Sequence, residues 1–246
     1  MVGVILAAGD GLRLRESTGK QSCKVLEKIC GTHLIEFALN NLVKLNIEKV
    51  YVVVGKQGGL IKSAIGESYK GITVIYVPQV QQKGLINAFA QVLDFVEGEK
   101  VLLQLADEIF VDLKESCIKK VLTSDAFDFY CGITYESDPE KIKANFSVEL
   151  NDDGEIKKCT EKPLTVVNDI KGTGFCVFGN NSLRILKKTY NEKENKPYDL
   201  CDFMNILTSC GKKGITFCVA QKEFNINTLT DLEAAIRFLE SESAAK

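Results

Sequence analysis

Apolar positions along this chain fall into two rhythms. Short, nearly continuous apolar runs at residues 2–7, 50–54, 72–77 and 101–105 show no alternation with polar residues. That is the pattern of strands buried on both faces. Between them the apolar positions spread to the helical period. Leu34, Ile35, Ala38, Leu42 and Leu45 share one face of a helix that Thr32 is placed to cap. Further helices are expected at 61–65 and 85–96. Continuous apolar strands, each followed by a helix, predict a parallel sheet covered on both faces.

The rhythm changes in the second half. Runs at 127–134 and 145–150 read as strands, and Asn151-Asp152-Asp153-Gly154 is a turn from which 155–160 returns as a hairpin. A strand at 174–178, a helix at 182–190 and a charged loop at 192–197 follow. Next come a helix at 199–208, a strand at 215–219 and a final helix at 230–239, opened by Thr230 and Glu233 as a capping box. Repeats, low-complexity segments and linkers are absent from the sequence. The expected fold is α/β: a mixed, mostly parallel central sheet with helices on both faces, plus a smaller antiparallel elaboration. We expect one domain over 1–246, with a first half at 1–112 and a second at 113–246 closing one side of a cleft.

Composition narrows the class. The chain has 246 residues, 45% of them hydrophobic and 26% charged, with a net charge of −2. That balance argues against nucleic acid as the main partner. No apolar run approaches the ~18 residues of a membrane span, and the start lacks the basic region and cleavage site of a signal peptide. The nine cysteines show no CxxC spacing, and His33 is the only histidine, so a zinc site is not indicated. Reduced thiols in a cytoplasmic protein are expected. Homo-oligomerisation is left open.

The candidate chemistry begins where the first strand ends, in Leu6-Ala7-Ala8-Gly9-Asp10-Gly11-Leu12-Arg13. Glycine lets the backbone approach an anion with no Cβ in the way. Arg13 adds a permanently charged fork matched to phosphate oxygens. Leu14 stands where a dinucleotide fingerprint needs its third glycine, and no Gly-Lys-Ser/Thr follows, so neither a Rossmann nor a Walker loop is present. Ligands of such sheets bind beyond the carboxyl ends of the strands. Gly9, Gly11, Arg13, Gln79 and Asp107 all follow strand ends and should share one edge. Each also has an ordinary use: Asp107 as a helix cap, Gln79 as one of several glutamines in a polar loop with Gln81 and Gln82.

With Lys24 eleven residues past Arg13 and ahead of Val25-Leu26, the N-terminal segment resembles that of the sugar-1-phosphate nucleotidyltransferases, especially the glucose-1-phosphate thymidylyltransferase type. The resemblance continues through Gln79 with Gly84-Leu85, Leu105-Ala106-Asp107-Glu108-Ile109-Phe110, Glu161-Lys162-Pro163, Thr173-Gly174-Phe175 and Asn225-Ile226-Asn227-Thr228. It implies attack of a sugar-1-phosphate oxygen on the α-phosphorus of a nucleoside triphosphate, with release of pyrophosphate. Catalysis of such a displacement is mainly positioning and charge neutralisation. By this resemblance Arg13, Lys24, Asp107 and Lys162 are catalytic, and Leu6, Ala8, Gly9, Gly11, Gln79 and Gly84 bind the nucleotide. Glu161, Lys162 and Gly174 bind the acceptor, and Asp107 with Asn225 holds Mg²⁺.

The departures fall on the acceptor side. Asn225 stands where relatives carry a second carboxylate, which leaves Asp231 as a substitute to be tested. Asn227 replaces a glycine, Ala106 another, and Phe146 falls where thymidylyltransferases have a glycine beside the sugar. Lys20, beside Gln21, competes with Lys24 as the phosphate lysine. A cytidylyltransferase acting on a phosphorylated alcohol, or a non-catalytic binding protein on the same fold, therefore stands beside the sugar nucleotidyltransferase. The chain ends soon after its last helix, so neither an appended β-helix nor a C-terminal allosteric nucleotide site is expected.

Overall fold

A computed structural model describes residues 1–19, 22–192 and 199–244. Lys20 and most of the expected charged loop, 193–197, lie outside the described residues. The first half runs β1 (Val2–Ala7), α1 (Leu12–Thr18), a 3₁₀ turn (Lys24–Leu26), β2 (Lys28–Ile29), β3 (Thr32–His33), α2 (Leu34–Lys44), β4 (Lys49–Val54), α3 (Gly58–Ile65), β5 (Ser68–Tyr69), β6 (Ile72–Pro78), α4 (Leu85–Ala90), β7 (Val101–Leu105) and β8 (Glu108–Leu113). The second runs α5 (Glu115–Thr123), β9 (Phe129–Tyr135), α6 (Pro139–Lys143), β10 (Phe146–Leu150), β11 (Ile156–Glu161), β12 (Ile170–Phe178), α7 (Asn180–Glu192), α8 (Leu200–Ser209), β13 (Gly214–Cys218), β14 (Ala220–Asn225) and α9 (Leu229–Ala244).

The main sheet has the order β11-β10-β12-β7-β1-β4-β6-β5, with β9 joining β12 to β13. β1 lies at its centre, parallel to β4 and β7, and every residue of β1 is buried. Two large apolar clusters cover the two faces, one including Val4 and Phe89, the other Ile5 and Leu39. Where β12 meets β7 the pairing turns antiparallel, and one sheet continues into the second half. The expected mixed α/β architecture with an antiparallel elaboration is the one observed. β8 and β14 pair with each other apart from this sheet, which ties the first half to the second.

Several boundaries differ from the sequence pattern. Thr32 pairs in the small β2–β3 hairpin, so the α2 cap falls to His33, whose backbone N–H donates to Glu36 at 2.9 Å. The helix expected to 96 stops at Ala90, because Val92, Leu93 and Phe95 each bond back three residues rather than four. The box opening α9 uses Thr228 and Asp231, not Thr230 and Glu233: Asp231 Oδ2 accepts from the Thr228 N–H at 2.7 Å and its hydroxyl at 2.9 Å. β8, α5, α6 and β14 were not anticipated. β8 was readable from its alternating Ile109, Val111 and Leu113, and α6 from Asp138-Pro139, where Asp138 accepts from the Glu140 N–H at 3.0 Å.

Candidate active site

Parallel strands end on the same edge of their sheet, so the segments after β1, β6 and β7 come together. A cavity of about 360 Å³ is lined by Leu6, Gly9, Gly11, Arg13, Lys24 and Asp107, among others. Gly11 is required here twice over: its φ is +61°, and a Cβ on it would meet Lys24 Cβ at 2.7 Å. A Cβ on Gly9 would meet nothing within 4 Å, so that side of the loop faces open space. The two glycines serve different ends, one packing and the other access.

Lys24 is the centre of the cavity's charge. Its Nζ donates to Asp107 Oδ2 at 2.6 Å and to Asn227 Oδ1 at 3.2 Å, and only 9% of its side chain is exposed. Arg13 Nη2 reaches the same Asn227 oxygen at 2.9 Å. Two cations therefore converge on one amide oxygen, a weaker acceptor than a phosphate oxygen. Asp107 does not cap a helix; β8 follows it at once.

A second cavity of about 400 Å³ shares Leu6, Gly9, Asp10, Leu12 and Asp107 with the first and adds Ala8, Gln79, Gln82 and Gly84. Gln79 is 7% exposed, unlike Gln81 and Gln82, which are exposed. Its Nε2 donates to Asn87 Oδ1 at 2.7 Å and to the Gly84 carbonyl at 3.2 Å, so its amide is held by the fold. Gln82 bridges the Ala8 carbonyl (2.8 Å) and Asp10 Oδ1 (2.9 Å) and ties this wall to the glycine loop.

A third cavity of about 740 Å³ opens on the other side of Arg13 and Asn227, which line both it and the first. A ladder of amides crosses its mouth. Asn227 Nδ2 donates to Asn225 Oδ1 at 2.7 Å, Asn225 Nδ2 donates to Asn145 Oδ1 at 3.0 Å, and the Asn145 carbonyl accepts from the Lys162 N–H at 2.7 Å. Asn227 and Asn145 were not among the expected site residues. The substitution of Asn227 for the relatives' glycine was their only trace in the sequence. Asp231 is spent on the Asn227 and Thr228 N–H groups at the start of α9, which accounts for it as a cap and not as a replacement metal ligand.

Glu161, Lys162 and Gly174 are placed differently. None of them lines these three cavities. Lys162 is 62% exposed, with Nζ 4.0 Å from Glu161. Its φ of +44°, just before Pro163, is a conformation lysine rarely adopts. Burial, with Asp199 second, holds the Glu161 carboxyl above its ordinary range. Gly174 packs against Leu105, whose Cγ would lie 2.2 Å from an added Cβ, and its N–H donates to both oxygens of buried Glu108 at 2.8 and 3.0 Å. Burial raises Glu108 well above the carboxylate range. Phe146 is seated on Gly172: a Cβ there would fall 1.8 Å from its ring.

The family model described as nucleotidyl transferase matches residues 2–241. The chain belongs to that family. Among curated nucleotidyl transferases it is 32% identical over 178 residues to UTP–glucose-1-phosphate uridylyltransferase AglF of Haloferax volcanii, covering 72% of each chain. It spans about half the length of other curated relatives it matches, such as the bifunctional protein GlmU of Clostridium botulinum: 25% identity over 239 residues, 94% of this chain and 50% of that one. Two solved structures share the fold. A UDP-glucose pyrophosphorylase complexed with UDP-glucose superposes with a TM-score of 0.82 at 20% identity, covering 98% of this chain and 100% of that one. The inositol-1-phosphate CTP transferase of T. maritima gives 0.78 at 23% identity, over 96% and 95%.

Proposed function

We propose that this protein joins a nucleoside triphosphate to a sugar-1-phosphate, giving a nucleotide-linked sugar and pyrophosphate. The observation that carries this reading is the joining of three cavities in series, with Arg13 and Asn227 at the junction of the first and third. A base beside Gln79, phosphates along Gly9–Arg13 and an acceptor beyond Asn227 fit that succession. The acceptor's phosphate oxygen attacks the α-phosphorus as the bond to the pyrophosphate oxygen breaks. Gly9 and Gly11 would offer backbone N–H groups to the triphosphate, Arg13 would hold the leaving pyrophosphate, and Lys24 would neutralise the α-phosphate. To do so Lys24 exchanges the Asn227 amide oxygen for a phosphate oxygen, which binds an ammonium more strongly. Lys162 would reach in from the end of β11 to the acceptor phosphate, with Glu161 beside it on the sugar hydroxyls and Gly174 packed behind.

Mg²⁺ fits this residue set as an ion held mostly by substrate. The lining of the phosphate cavity carries two cations, Arg13 and Lys24, against two carboxylates, Asp10 and Asp107, so it does not neutralise a triphosphate unaided. Among the described residues no group of three or more His, Cys, Asp or Glu forms a metal cage. Mg²⁺ is commonly bound by one or two carboxylates together with phosphate oxygens. Asp107, at the seam of both nucleotide cavities, would hold it, with the Asn225 oxygen as a neutral second ligand. When bound, the ion would offset charge on the triphosphate and the departing pyrophosphate.

A second acceptor class is favoured by one observation. The Phe146 ring fills the space over Gly172, on the side where the resemblance places a hexose. A cytidylyltransferase acting on a phosphorylated alcohol is therefore the alternative. Pyrophosphate release measured over ATP, GTP, CTP, UTP and dTTP against sugar-1-phosphates and phosphorylated alcohols, with Mg²⁺, decides. Release with a sugar-1-phosphate is expected; nucleotide binding without release for any acceptor would contradict an enzymatic role. A cytoplasmic location belongs to the same proposal. All nine cysteines are free thiols, and no helix among the described residues is long and apolar enough to cross a membrane.

A further inference from the structure

The cavity beside Gln79 is lined by two side-chain amides, and a backbone carbonyl sets the orientation of each. A carbonyl oxygen can only accept, so the amide atom that bonds to it must be the nitrogen. Gln79 Nε2 meets the Gly84 carbonyl at 3.2 Å, and Gln82 Nε2 meets the Ala8 carbonyl at 2.8 Å. The second hydrogen of each is also committed, that of Gln79 to Asn87 Oδ1 at 2.7 Å and that of Gln82 to Asp10 Oδ1 at 2.9 Å. The other polar side chains of the lining are Asp10 and Asp107, which as carboxylates only accept. Among the described residues, no side chain on this wall has a hydrogen left to donate.

The arrangement is braced from the second half of the chain. Asn87, buried on α4, spends its Oδ1 on Gln79, so its Nδ2 is left to donate to the Tyr190 hydroxyl on α7. The row Tyr190, Asn87, Gln79, Gly84 therefore runs with one polarity, fixed at its end by a backbone carbonyl. Gln79 Oε1 is the atom left over. It accepts from no group among the described residues and is not one of their sealed, unpartnered atoms, so it opens onto the cavity that Gln79 lines.

An oxygen held in this way selects among bases by what their ring nitrogen carries. Uracil, thymine and guanine carry a hydrogen there and satisfy the oxygen head-on. Cytosine and adenine carry a lone pair. Either can offer its amino group instead, but the ring nitrogen beside it then needs a donor. A two-bond amide contact would supply one, and here both amide hydrogens are turned away. An acceptor buried without a partner costs enough to lower affinity about tenfold.

We infer that the nucleotide is one whose base carries a ring N–H (uracil, thymine or guanine), and that Asn87 and Tyr190 are positioning residues that set this choice by holding Gln79 with only its oxygen toward the base. The inference rests on the proposed function only for placing a base in this cavity. Calorimetry with Mg²⁺ compares UTP, dTTP, GTP, CTP and ATP, with tripolyphosphate as a probe that has no base. The best-bound of the first three should bind about tenfold or more tightly than CTP and ATP. Asn87→Leu frees one Gln79 hydrogen and should cut that preference to about threefold or less, with tripolyphosphate affinity unchanged. Asn87→Asp keeps an acceptor for Gln79 and should keep the preference. Tyr190→Phe removes only the hydroxyl that holds Asn87 and should lower the preference by an intermediate amount, which keeps the test available if Asn87→Leu does not fold.

Binding of CTP or ATP as tight as that of every ring N–H triphosphate would overturn the inference. So would a preference that neither Asn87→Leu nor Tyr190→Phe diminishes, or five triphosphates that bind no more tightly than tripolyphosphate. An Asn87-dependent preference with no pyrophosphate released for any acceptor would leave the inference standing and sink the transferase reading. Pyrophosphate release with CTP or ATP as the preferred substrate would do the reverse.

Discussion

Two loops approach Lys24 from opposite sides, and they are built on opposite plans. The loop after β1 presents backbone: Gly9 faces open space, and Gly11 lets the chain close onto the Lys24 side chain. The loop after β14 presents side chains already bonded to one another, Asn227 to Asn225 and Asn225 to Asn145. Under the proposed function the first would receive the triphosphate. The second is a pre-formed polar wall. Under the proposed function, chemistry and acceptor choice would be separated across the cleft, with Lys24 and Arg13 both bonded to Asn227 on the far side.

The largest expected effect breaks the link between the two loops. Lys24→Ala removes the cation shared by Asp107 and Asn227 and should lower kcat/KM about a hundredfold, as loss of a charge-assisted contact at the reacting phosphate requires. Circular dichroism should show the fold retained, since Lys24 lines a cavity rather than filling the core. Arg13→Ala, exposed and bonded only to the Asn227 side chain among the hydrogen bonds given above, should cost less stability and a comparable loss of rate.

The two glycines sharpen the comparison next. Gly11→Ala must hold a left-handed φ of +61° and an overlap with Lys24 Cβ. Chemical denaturation should show it destabilised by about 2 kcal/mol. Gly9→Ala meets no protein atom, so its stability should stay within about 0.5 kcal/mol of wild type while its affinity for triphosphate falls. Equal losses at both positions would mean that Gly9 packs against the protein rather than a ligand.

Asn225→Asp tests the second loop. It supplies the carboxylate that relatives carry, yet sets an oxygen against Asn145 Oδ1, which now accepts the Asn225 amide at 3.0 Å. The expected result is half-saturation at lower Mg²⁺ together with a stability loss of about 1 kcal/mol. The smallest effect lies far from the site. Bonding to Lys213 at 2.6 Å lowers the Glu155 carboxyl below its ordinary value of 4.5. A lowered acid contributes above its unfolded pKa and loses that contribution as pH falls through the folded value. Lys213→Ala should therefore flatten stability slightly between neutral pH and about pH 4.

The contrast between the loops also explains what the sequence disclosed. β1, β4, β6 and β7 are continuous apolar runs, and their carboxyl ends carry Gly9, Gln79 and Asp107 within a few residues, so local pattern and site coincided. Across the cleft the contacts join residues remote in sequence. Lys171 and Glu223 lie 52 positions apart, and Asn145 and Asn225 lie 80 apart. Each reads alone as an ordinary polar residue on a strand or turn. They meet where β14, paired with β8 in its own small sheet, lies against the main sheet, and nothing local announces that meeting. Phe146 is the exception: its departure from a glycine was visible, but its seat on Gly172 was not.

The account stands most directly on where the α-phosphorus goes. Phosphorus NMR of the protein with Mg²⁺, its preferred triphosphate and glucose-1-phosphate should show the γ and β signals collapse into free pyrophosphate. A new pair of coupled diphosphate signals from a nucleotide-linked sugar should grow in equal amount, and both changes should be abolished with Lys24→Ala. An unchanged triphosphate spectrum despite saturating binding, or conversion to nucleoside diphosphate and inorganic phosphate, would contradict it.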